Sequence, residues 1–268
     1  MKRKIAVLGV GNMARAIISG IVSSDIEVDK FYIYDKFPEA CAAYCNDERF
    51  FVADSIDQAV EAADCVLIAV KPQNYAEVLD EIKKICGHEQ KIYISIGAGI
   101  TVKSVSDALN KAVVIRVLPN LPMTVGLGVS AICKNENASA EDFSFVKAVF
   151  DSAGSTVVID ESEMNRIIGV TSSSPAYVFK FIDAICKGAE AQGLDSNSLL
   201  DTVCDVVIGS AMLLKKSVDT PETLISRVAS KGGTTERALL QLDDGDFCEI
   251  VKNAMIACTA RADELGKQ

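Results

Sequence analysis

The turn between the first apolar run and the first helical pattern has the spacing best suited to chemistry. It reads Gly9-Val10-Gly11-Asn12-Met13-Ala14, a G-x-G-x-x-A pattern. In such a turn the first glycine permits a tight bend, the second lets the backbone approach a pyrophosphate, and Ala14 lets helix and strand pack closely. The segment therefore predicts a dinucleotide site at the N-terminus of a helix.

The end of the second apolar run bears on the choice of dinucleotide. Asp35 stands there, and its carboxylate suits hydrogen bonds from the adenosine ribose 2′-hydroxyl of NAD. The neighbouring Lys36 instead suits the 2′-phosphate of NADP. The sequence leaves NADH and NADPH as alternatives.

Two later segments are placed to complete such a site. Lys71, in Ala69-Val70-Lys71-Pro72-Gln73, is either a contact for phosphate or ribose oxygens or a solvated lysine before a turn. After the following run, the small residues of Ile96-Gly97-Ala98-Gly99 leave room for a nicotinamide ring.

Histidine and cysteine usage limits the other chemistries. His88 is the only histidine, and no G-x-S-x-G elbow supports a hydrolase that would use it. The nine cysteines contain no C-x-x-C pair, and an odd number in a chain this long is not a secreted disulfide framework. We therefore predict no metal site and interpret the cysteines as buried small hydrophobic residues in a reducing compartment.

The charge balance restricts the partners. The 27 basic and 37 acidic residues give a net charge of −10, which disfavours general nucleic-acid binding. No apolar run approaches the roughly 18 residues that a membrane span requires. We expect a soluble, cytoplasmic protein that binds neither nucleic acid nor membranes.

Short β-branched runs alternate with helical patterns up to about residue 160. This alternation predicts a parallel sheet with right-handed crossovers, hence an N-terminal Rossmann-type doubly wound α/β domain over residues 1–160. The predicted strands are Ile5–Gly9, Phe31–Tyr34, Cys65–Val70, Lys91–Ile96, Val113–Leu118, Val129–Ile132 and Thr156–Ile159. Helical periodicity covers Ala14–Ile21, Tyr75–Cys86 and Ala140–Ala153.

Beyond residue 160 the pattern is helical. The predicted helices are Pro175–Gln192, Ser196–Val218, Pro221–Ser230 and Phe247–Glu264, with Gly193 suited to a helix end and Gly209 to close helix packing. The second of these helices is apolar on more than one face, so it needs partners on several sides. We therefore predict an all-helical domain over residues 161–268 that is buried in an oligomer interface.

Several segments together resemble the pyrroline-5-carboxylate reductase family. They keep their order and spacing over essentially the whole chain, and they are Gly9–Ala14, Ala69–Gln73, Ser95–Thr101, Arg116–Pro122, Ser173–Tyr177 and Ser230–Thr235. The Pro-Ala-Tyr helix start at 175–177 and the Gly-Gly-Thr-Thr turn at 232–235 are the most particular to this family.

The resemblance implies reduction of L-1-pyrroline-5-carboxylate to L-proline by hydride transfer from NADPH or NADH. It also implies a homodimer through the helical domains, with a ring of dimers as a further assembly. The implied cofactor residues are Gly9, Gly11, Asn12, Met13, Ala14, Asp35, Lys36, Ala69, Val70, Lys71, Pro72, Ala98 and Asn120. The implied substrate residues are Glu161, Ser230, Gly232, Gly233, Thr234 and Thr235.

These roles agree with the chemistry of the residues. The 230–235 turn precedes the apolar run Ala238-Leu239-Leu240, so its backbone N–H groups at a helix N-terminus suit a substrate carboxylate. Glu161 is either an acid that attracts the ring nitrogen or a solvated acid at a domain junction. A protonated imine becomes a neutral amine on accepting hydride, so positioning can replace a histidine acid.

The sequence departs from the family pattern at several positions. Ile168 stands where a threonine is often proposed as proton donor, so no catalytic acid is assigned, and Thr171, Ser173 or water are the candidates. Ser172 and Ser174 replace glycines. Lys231 and Arg227 add positive charge beside the expected carboxylate site.

Two other functions remain as alternatives. A β-hydroxyacid dehydrogenase would need a lysine in the first helix of the second domain, and Lys180, the one candidate, is interpreted as a surface residue. A non-catalytic NAD(P)-sensing module would not need the substrate turn at 230–235.

Overall fold

Eight strands form one sheet in the computed structural model, which describes residues 2–265 apart from the side chains of Asn197 and Leu265. The strands are β1 (Arg3–Leu8), β2 (Val28–Tyr34), β3 (Phe50–Val52), β4 (Cys65–Ile68), β5 (Ile92–Ser95), β6 (Val113–Leu118), β7 (Gly128–Lys134) and β8 (Gly154–Val158). Their order in the sheet is β3-β2-β1-β4-β5-β6-β7-β8. The Rossmann-type doubly wound prediction is confirmed.

The pairing of β6 with β7 departs from the parallel pattern predicted. These two strands are antiparallel, whereas every other neighbouring pair is parallel within the described residues. Residues 119–127 connect them, which is shorter than the crossover of about a dozen residues that a parallel pair needs. Strand β3 was not predicted, because three residues are too few for an alternation pattern.

Helices cover both faces of the sheet. They are α1 (Asn12–Val22), α2 (Ile56–Glu61), α3 (Tyr75–Ile82), α4 (Val102–Ala108), α5 (Ala140–Asp151) and α6 (Met164–Ile167). Successive strand residues point to opposite faces. Ile5 and Val7 thus pack in the core that contains residues of α1 and α5, while Ala6 and Leu8 pack in the core that contains residues of α2, α3 and α4.

The chain divides into two compact units. The first contains residues up to Ser173 together with the chain from Cys258 onward, and the second is Ser174–Ala257. The remaining helices are α7 (Ser174–Glu190), α8 (Ser196–Lys216), α9 (Pro221–Val228), α10 (Thr234–Asp244) and α11 (Phe247–Leu265). This division differs from the predicted boundary after residue 160, because residues 161–173 and the end of α11 belong to the first unit.

The second unit buries little apolar surface by itself. Among its described side chains, Cys186 and Val203 are the buried apolar ones, whereas Phe179 is 55% exposed and Leu213 is 59% exposed. A Cβ atom built on Gly209 would meet nothing within 4 Å, so the close packing predicted there does not occur within the chain. Gly193, with φ of 83°, follows the end of α7 as predicted. In the described part of the chain, no helix has the length and apolar character to cross a membrane.

Candidate functional site

A cleft of about 430 Å³ opens at the carboxyl ends of β1, β2 and β4. This edge is where open α/β sheets bind ligands. The cleft brings together many of the predicted cofactor residues, namely Gly9, Gly11, Asp35, Lys36, Ala69, Val70 and Lys71. Asn12, Met13 and Ala14 form the start of α1, and Pro72 begins a short 3-10 helix after β4.

The turn after β1 has the backbone that the glycine pattern predicts. Gly9 has φ of 93°, and a Cβ atom there would lie 2.9 Å from the carbonyl oxygen of Ala69. A Cβ atom on Gly11 would meet nothing within 4 Å, and no side chain caps the first turn of α1. Open space therefore lies at a helix N-terminus whose amides suit an anion.

Asp35 holds this turn through its side chain. Its Oδ2 accepts a hydrogen bond from the Val10 amide at 2.7 Å, and its Oδ1 accepts one from the Phe37 amide at 2.9 Å. Arg15, which the sequence did not single out, donates to the Val10 and Ala40 carbonyl oxygens at 3.0 Å each. The carboxylate thus has a structural role beside any contact with a ribose.

The charged side chains that line the cleft are predominantly acidic. They are Asp35, Glu77 and Glu81 against Lys36 and Lys71. Burial raises the pKa of the nearby Tyr34 hydroxyl, and the negative charges of Glu81, Asp35 and Glu77 raise it further. The electrostatic environment of the cleft is therefore negative around Tyr34.

The predicted nicotinamide residues lie outside this cleft. Ala98 is exposed in the segment after β5. Asn120 is buried after β6, where its Nδ2 donates to the Thr171 carbonyl oxygen at 2.9 Å and its Oδ1 accepts from the Val129 amide at 2.8 Å. Its side-chain amide connects three segments of the first unit.

The hydroxyl groups considered as proton donors already have partners. Thr171 is buried, and its Oγ1 donates to the Ile167 carbonyl oxygen at 3.1 Å. The Ser173 Oγ lies 3.2 Å from the Sγ of Cys258. The apolar side chain of Ile168 packs against one of the sheet cores. The first unit therefore presents no free hydroxyl at Thr171 or Ser173.

Glu161 is engaged within the first unit. Its Oε1 accepts a hydrogen bond from the Val102 amide at 2.5 Å and lies 3.5 Å from Nη1 of Arg116. Arg116 is only 2% exposed, and its Nε and Nη2 have no hydrogen-bond partner among the described residues. Glu161 therefore compensates the charge of a buried arginine, and its role in binding the substrate stays a prediction.

The turn at 230–235 lies in the second unit and is tightly built. Gly232 has φ of 72°, in the region that favours glycine. A Cβ atom on Gly233 would lie 2.9 Å from the carbonyl oxygen of Ser230, so that position also disfavours a larger residue. Gly233 is the N-cap of α10 with no side-chain hydrogen bond to the first turn, so the amides of Thr234 and Thr235 begin the helix there.

The extra positive charges near this turn differ in their environment. The Arg227 guanidinium donates to both oxygens of Asp219, at 2.6 and 2.9 Å, so its charge is compensated, contrary to our expectation. Lys231 is exposed. Lys180 is exposed on α7, as predicted for a surface residue.

His88 lies away from the cleft. It is buried before β5, at the opposite edge of the sheet, with Nδ1 2.8 Å from the Ile85 carbonyl oxygen and Nε2 3.3 Å from Nδ2 of Asn110.

All nine cysteines are unpaired. Cys45, Cys86 and Cys248 are exposed, so the prediction that the cysteines are buried is wrong for these. The described residues contain no group of three or more metal-ligating side chains.

The fold and the cleft define a dinucleotide-dependent oxidoreductase with a Rossmann domain followed by a helical region. Residues 4–99 match the family model described as NADP oxidoreductase coenzyme F420-dependent. Residues 161–265 match the model described as pyrroline-5-carboxylate reductase dimerisation. The chain belongs to the pyrroline-5-carboxylate reductase family.

Full-length relatives support this membership. The chain is 32% identical over 269 residues to pyrroline-5-carboxylate reductase of Escherichia coli (strain K12), with 100% of both chains covered. It is 34% identical over 270 residues to that of Vibrio alginolyticus, covering 99% of this chain and 98% of the relative. The solved structure of a Coxiella burnetii pyrroline-5-carboxylate reductase superposes with a TM-score of 0.91 at 26% identity, covering 99% of each chain. That of Plasmodium falciparum pyrroline carboxylate reductase with NADP bound superposes with a TM-score of 0.87 at 26% identity, covering 98% of each.

Proposed function

We propose that the protein reduces L-1-pyrroline-5-carboxylate to L-proline with NADH or NADPH, the last step of proline synthesis. The observation that carries the proposal is similarity along the full length of the chain to reductases of that name. The geometry of the cleft and of the 230–235 turn supports it, because each suits one of the two anionic ligands.

The cleft at β1, β2 and β4 fits the dinucleotide. Gly9 and Gly11 leave the backbone accessible, and the N-terminus of α1 offers amides for the pyrophosphate. Asp35 and Lys36 would contact the adenosine ribose, and Ala98 and Asn120 would lie towards the nicotinamide. When bound, the reduced nicotinamide supplies the hydride.

The turn at 230–235 would bind the substrate carboxylate. The first amides of α10 and the hydroxyl groups of Ser230 and Thr235 are donors for it, without any arginine. In the protonated imine, the C=N electron pair moves to nitrogen as hydride adds to carbon, which gives a neutral amine. No side chain must donate a proton in that step, and this agrees with the engaged hydroxyl groups of Thr171 and Ser173.

The assay follows oxidation of NADH and of NADPH in the presence of pyrroline-5-carboxylate, with L-proline identified as product. Turnover with either cofactor is expected. Absence of turnover together with reduction of NAD(P)⁺ by 3-hydroxy acids would favour the dehydrogenase alternative. Binding of the cofactor without turnover of either substrate would favour the sensing module.

We also propose a homodimer formed through the C-terminal helical domain, residues 161–268, and a ring of dimers as a further assembly. The support is the apolar surface that the second unit leaves exposed, including Phe179 and Leu213. Analytical ultracentrifugation is expected to show at least a dimer, and a monomer at micromolar concentration would contradict this.

The unpaired cysteines support a cytoplasmic location, which cell fractionation tests.

A further inference from the structure

The hydroxyl group of Tyr75 lies between the ends of two neighbouring parallel strands. It donates to the carbonyl oxygen of Ile68, the last residue of β4, at 2.8 Å. It accepts hydrogen bonds from the amide of Gly97 at 2.8 Å and from Oγ of Ser95 at 3.2 Å. One donor and two acceptor positions saturate a phenol hydroxyl.

The strands diverge at this point. The β4–β5 register ends with the pair of Ile68 and Ser95, and the next amide, that of Ile96, is already 3.4 Å from the Ile68 carbonyl oxygen. The hydroxyl lies beside this long backbone hydrogen bond and gives the Ile68 carbonyl oxygen a second, shorter one. It thereby connects the segment that follows β4 with the segment that follows β5.

The ring of Tyr75 also contacts the segment that follows β5 and determines where its backbone lies. A Cβ atom on Gly97 would lie 2.6 Å from Cε2 and 2.7 Å from Cζ of the ring, so the Gly97 backbone rests directly on it. Tyr75 is 2% exposed. Burial raises the pKa of its hydroxyl to about 12, against the opposing hydrogen bonds from Ser95 and Gly97, so the donor proton is retained at working pH.

Both connected segments belong to the cofactor site of the proposed function. Ala69 follows Ile68 and lies against Gly9, the first glycine of the pyrophosphate turn. Ala98 follows Gly97 and is one of the residues expected near the nicotinamide. We propose that Tyr75 is a positioning residue, whose hydroxyl fixes the Gly97-Ala98-Gly99 segment relative to the pyrophosphate turn and so orients the nicotinamide end of the cofactor.

The test compares Tyr75→Phe with Tyr93→Phe. Tyr93 is a second buried tyrosine, and its hydroxyl donates to the His88 carbonyl oxygen at 2.9 Å, at the other edge of the sheet. Both variants lose one buried hydroxyl, and thermal stability should fall more in Tyr75→Phe, which leaves three hydrogen-bond partners without it, than in Tyr93→Phe, which leaves one. Dissociation constants are measured by calorimetry for NADH and for ADP-ribose, which lacks the nicotinamide.

For Tyr75→Phe we expect an NADH dissociation constant about tenfold higher, an ADP-ribose constant within about twofold of the wild type, and a kcat lower by about ten- to a hundredfold. A primary deuterium isotope effect on kcat should increase, because hydride transfer becomes slower. Tyr93→Phe should leave all of these within about twofold. Gly97→Ala, which forces the segment off the ring, should reproduce the selective loss of NADH affinity.

An equal loss of NADH and ADP-ribose affinity in Tyr75→Phe would overturn the proposal, and so would unchanged NADH affinity and kcat. If Tyr75→Phe does not fold, Gly97→Ala decides by the same comparison. The inference about Tyr75 rests on the proposed function, but different measurements would contradict the inference and the function. Wild-type protein that binds NADH but does not turn over pyrroline-5-carboxylate contradicts the function, while the binding comparison still tests Tyr75.

Discussion

The Glu236 carboxylate accepts a hydrogen bond from the Gly232 amide at 2.7 Å. One of the amides in the turn expected to bind the substrate carboxylate is thus already paired with an anion of the same chain. A carboxylate in the first turn of a helix interacts favourably with the helix dipole, so it stabilises α10. The same negative charge opposes a second carboxylate at that helix end.

We therefore predict that Glu236→Gln strengthens binding of L-proline and of carboxylate inhibitors. Glutamine keeps an oxygen that accepts the Gly232 amide, so the turn is retained while the charge is lost. Removing a charge near a helix terminus changes a free energy by about 0.3–1 kcal/mol, or roughly two- to fivefold in an inhibition constant. The measurement is proline inhibition at two ionic strengths, with Glu222→Gln on α9 as control. Unchanged or weaker inhibition by proline would contradict the prediction.

Thr235→Ala is expected to weaken carboxylate binding without affecting the cofactor. The variant removes a hydroxyl at the start of α10, and a hydrogen bond to a charged group contributes about 1.5–3 kcal/mol, or tenfold or more. Proline inhibition and the NADH dissociation constant are measured on the same preparation. Ser226→Ala, on α9, is the control. Equal losses for proline and NADH would show that Thr235 does not belong to a separate anion site.

Sequence patterns could predict those parts of the fold whose backbone conformation is determined by residues adjacent in the chain. The turn at Gly9 could be predicted because spacing along one segment determines its backbone. The helix start at Gly233 could be predicted for the same reason. The alternation of strand and helix predicted seven of the eight strands and a parallel sheet, but not β3, which is too short to show a pattern, nor the antiparallel pairing of β6 with β7.

Contacts between distant segments could not be predicted in this way. Tyr75 stands in an amphipathic helical pattern, where a tyrosine indicates packing, and nothing local indicates that its hydroxyl reaches Gly97. The carboxylate of Glu161 meets an arginine 45 positions earlier in the chain (161 − 116). The residues next to Glu161 and next to Arg116 in the sequence give no indication that the two side chains pair.

Glu161→Gln distinguishes a structural from a substrate-binding role for this residue. The glutamine can still accept the Val102 amide, but Arg116 loses its charge partner in a buried position. We expect the free energy of unfolding to fall by about 1–3 kcal/mol, measured by urea denaturation, with the substrate KM within about twofold. An increased KM at unchanged stability would instead support the substrate role that the family resemblance implies.

The stability of the first unit should depend on pH through Asp142. Burial would raise the pKa of its carboxyl, but hydrogen bonds from Ser139 and Arg3 outweigh this and hold the pKa below its ordinary value. A depressed folded-state pKa stabilises the fold above the unfolded pKa of about 3.9, and this contribution is lost as the pH falls through the folded-state pKa.

Asp142→Asn should therefore lower the free energy of unfolding by about 1 kcal/mol at pH 7, with the difference shrinking towards pH 3. Denaturant unfolding at several pH values measures it. Asp25→Asn, at an exposed position, should stay within about 0.5 kcal/mol of the wild type. A difference between Asp142→Asn and wild type that is independent of pH would contradict the assignment.

The acidic lining of the cleft bears on cofactor preference. Asp35, Glu77 and Glu81 carry three negative charges against the two positive charges of Lys36 and Lys71. A 2′-phosphate adds about 1.5–2 negative charges to the adenosine ribose and is repelled by this lining, whereas a 2′-hydroxyl is not. We therefore predict a higher kcat/KM with NADH than with NADPH.

The double variant Glu77→Gln/Glu81→Gln should raise kcat/KM for NADPH relative to that for NADH. Each charge contributes up to about 1 kcal/mol at low ionic strength, so the ratio should change by about three- to thirtyfold and less in high salt. Glu27→Gln, which removes a charge before β2 at the opposite edge of the sheet, should leave the ratio unchanged. If Lys36 contacts the 2′-phosphate, Lys36→Ala should lower kcat/KM for NADPH relative to that for NADH below the wild-type ratio. A strong NADPH preference that survives Lys36→Ala would refute that role and would require another cation to offset the three carboxylates.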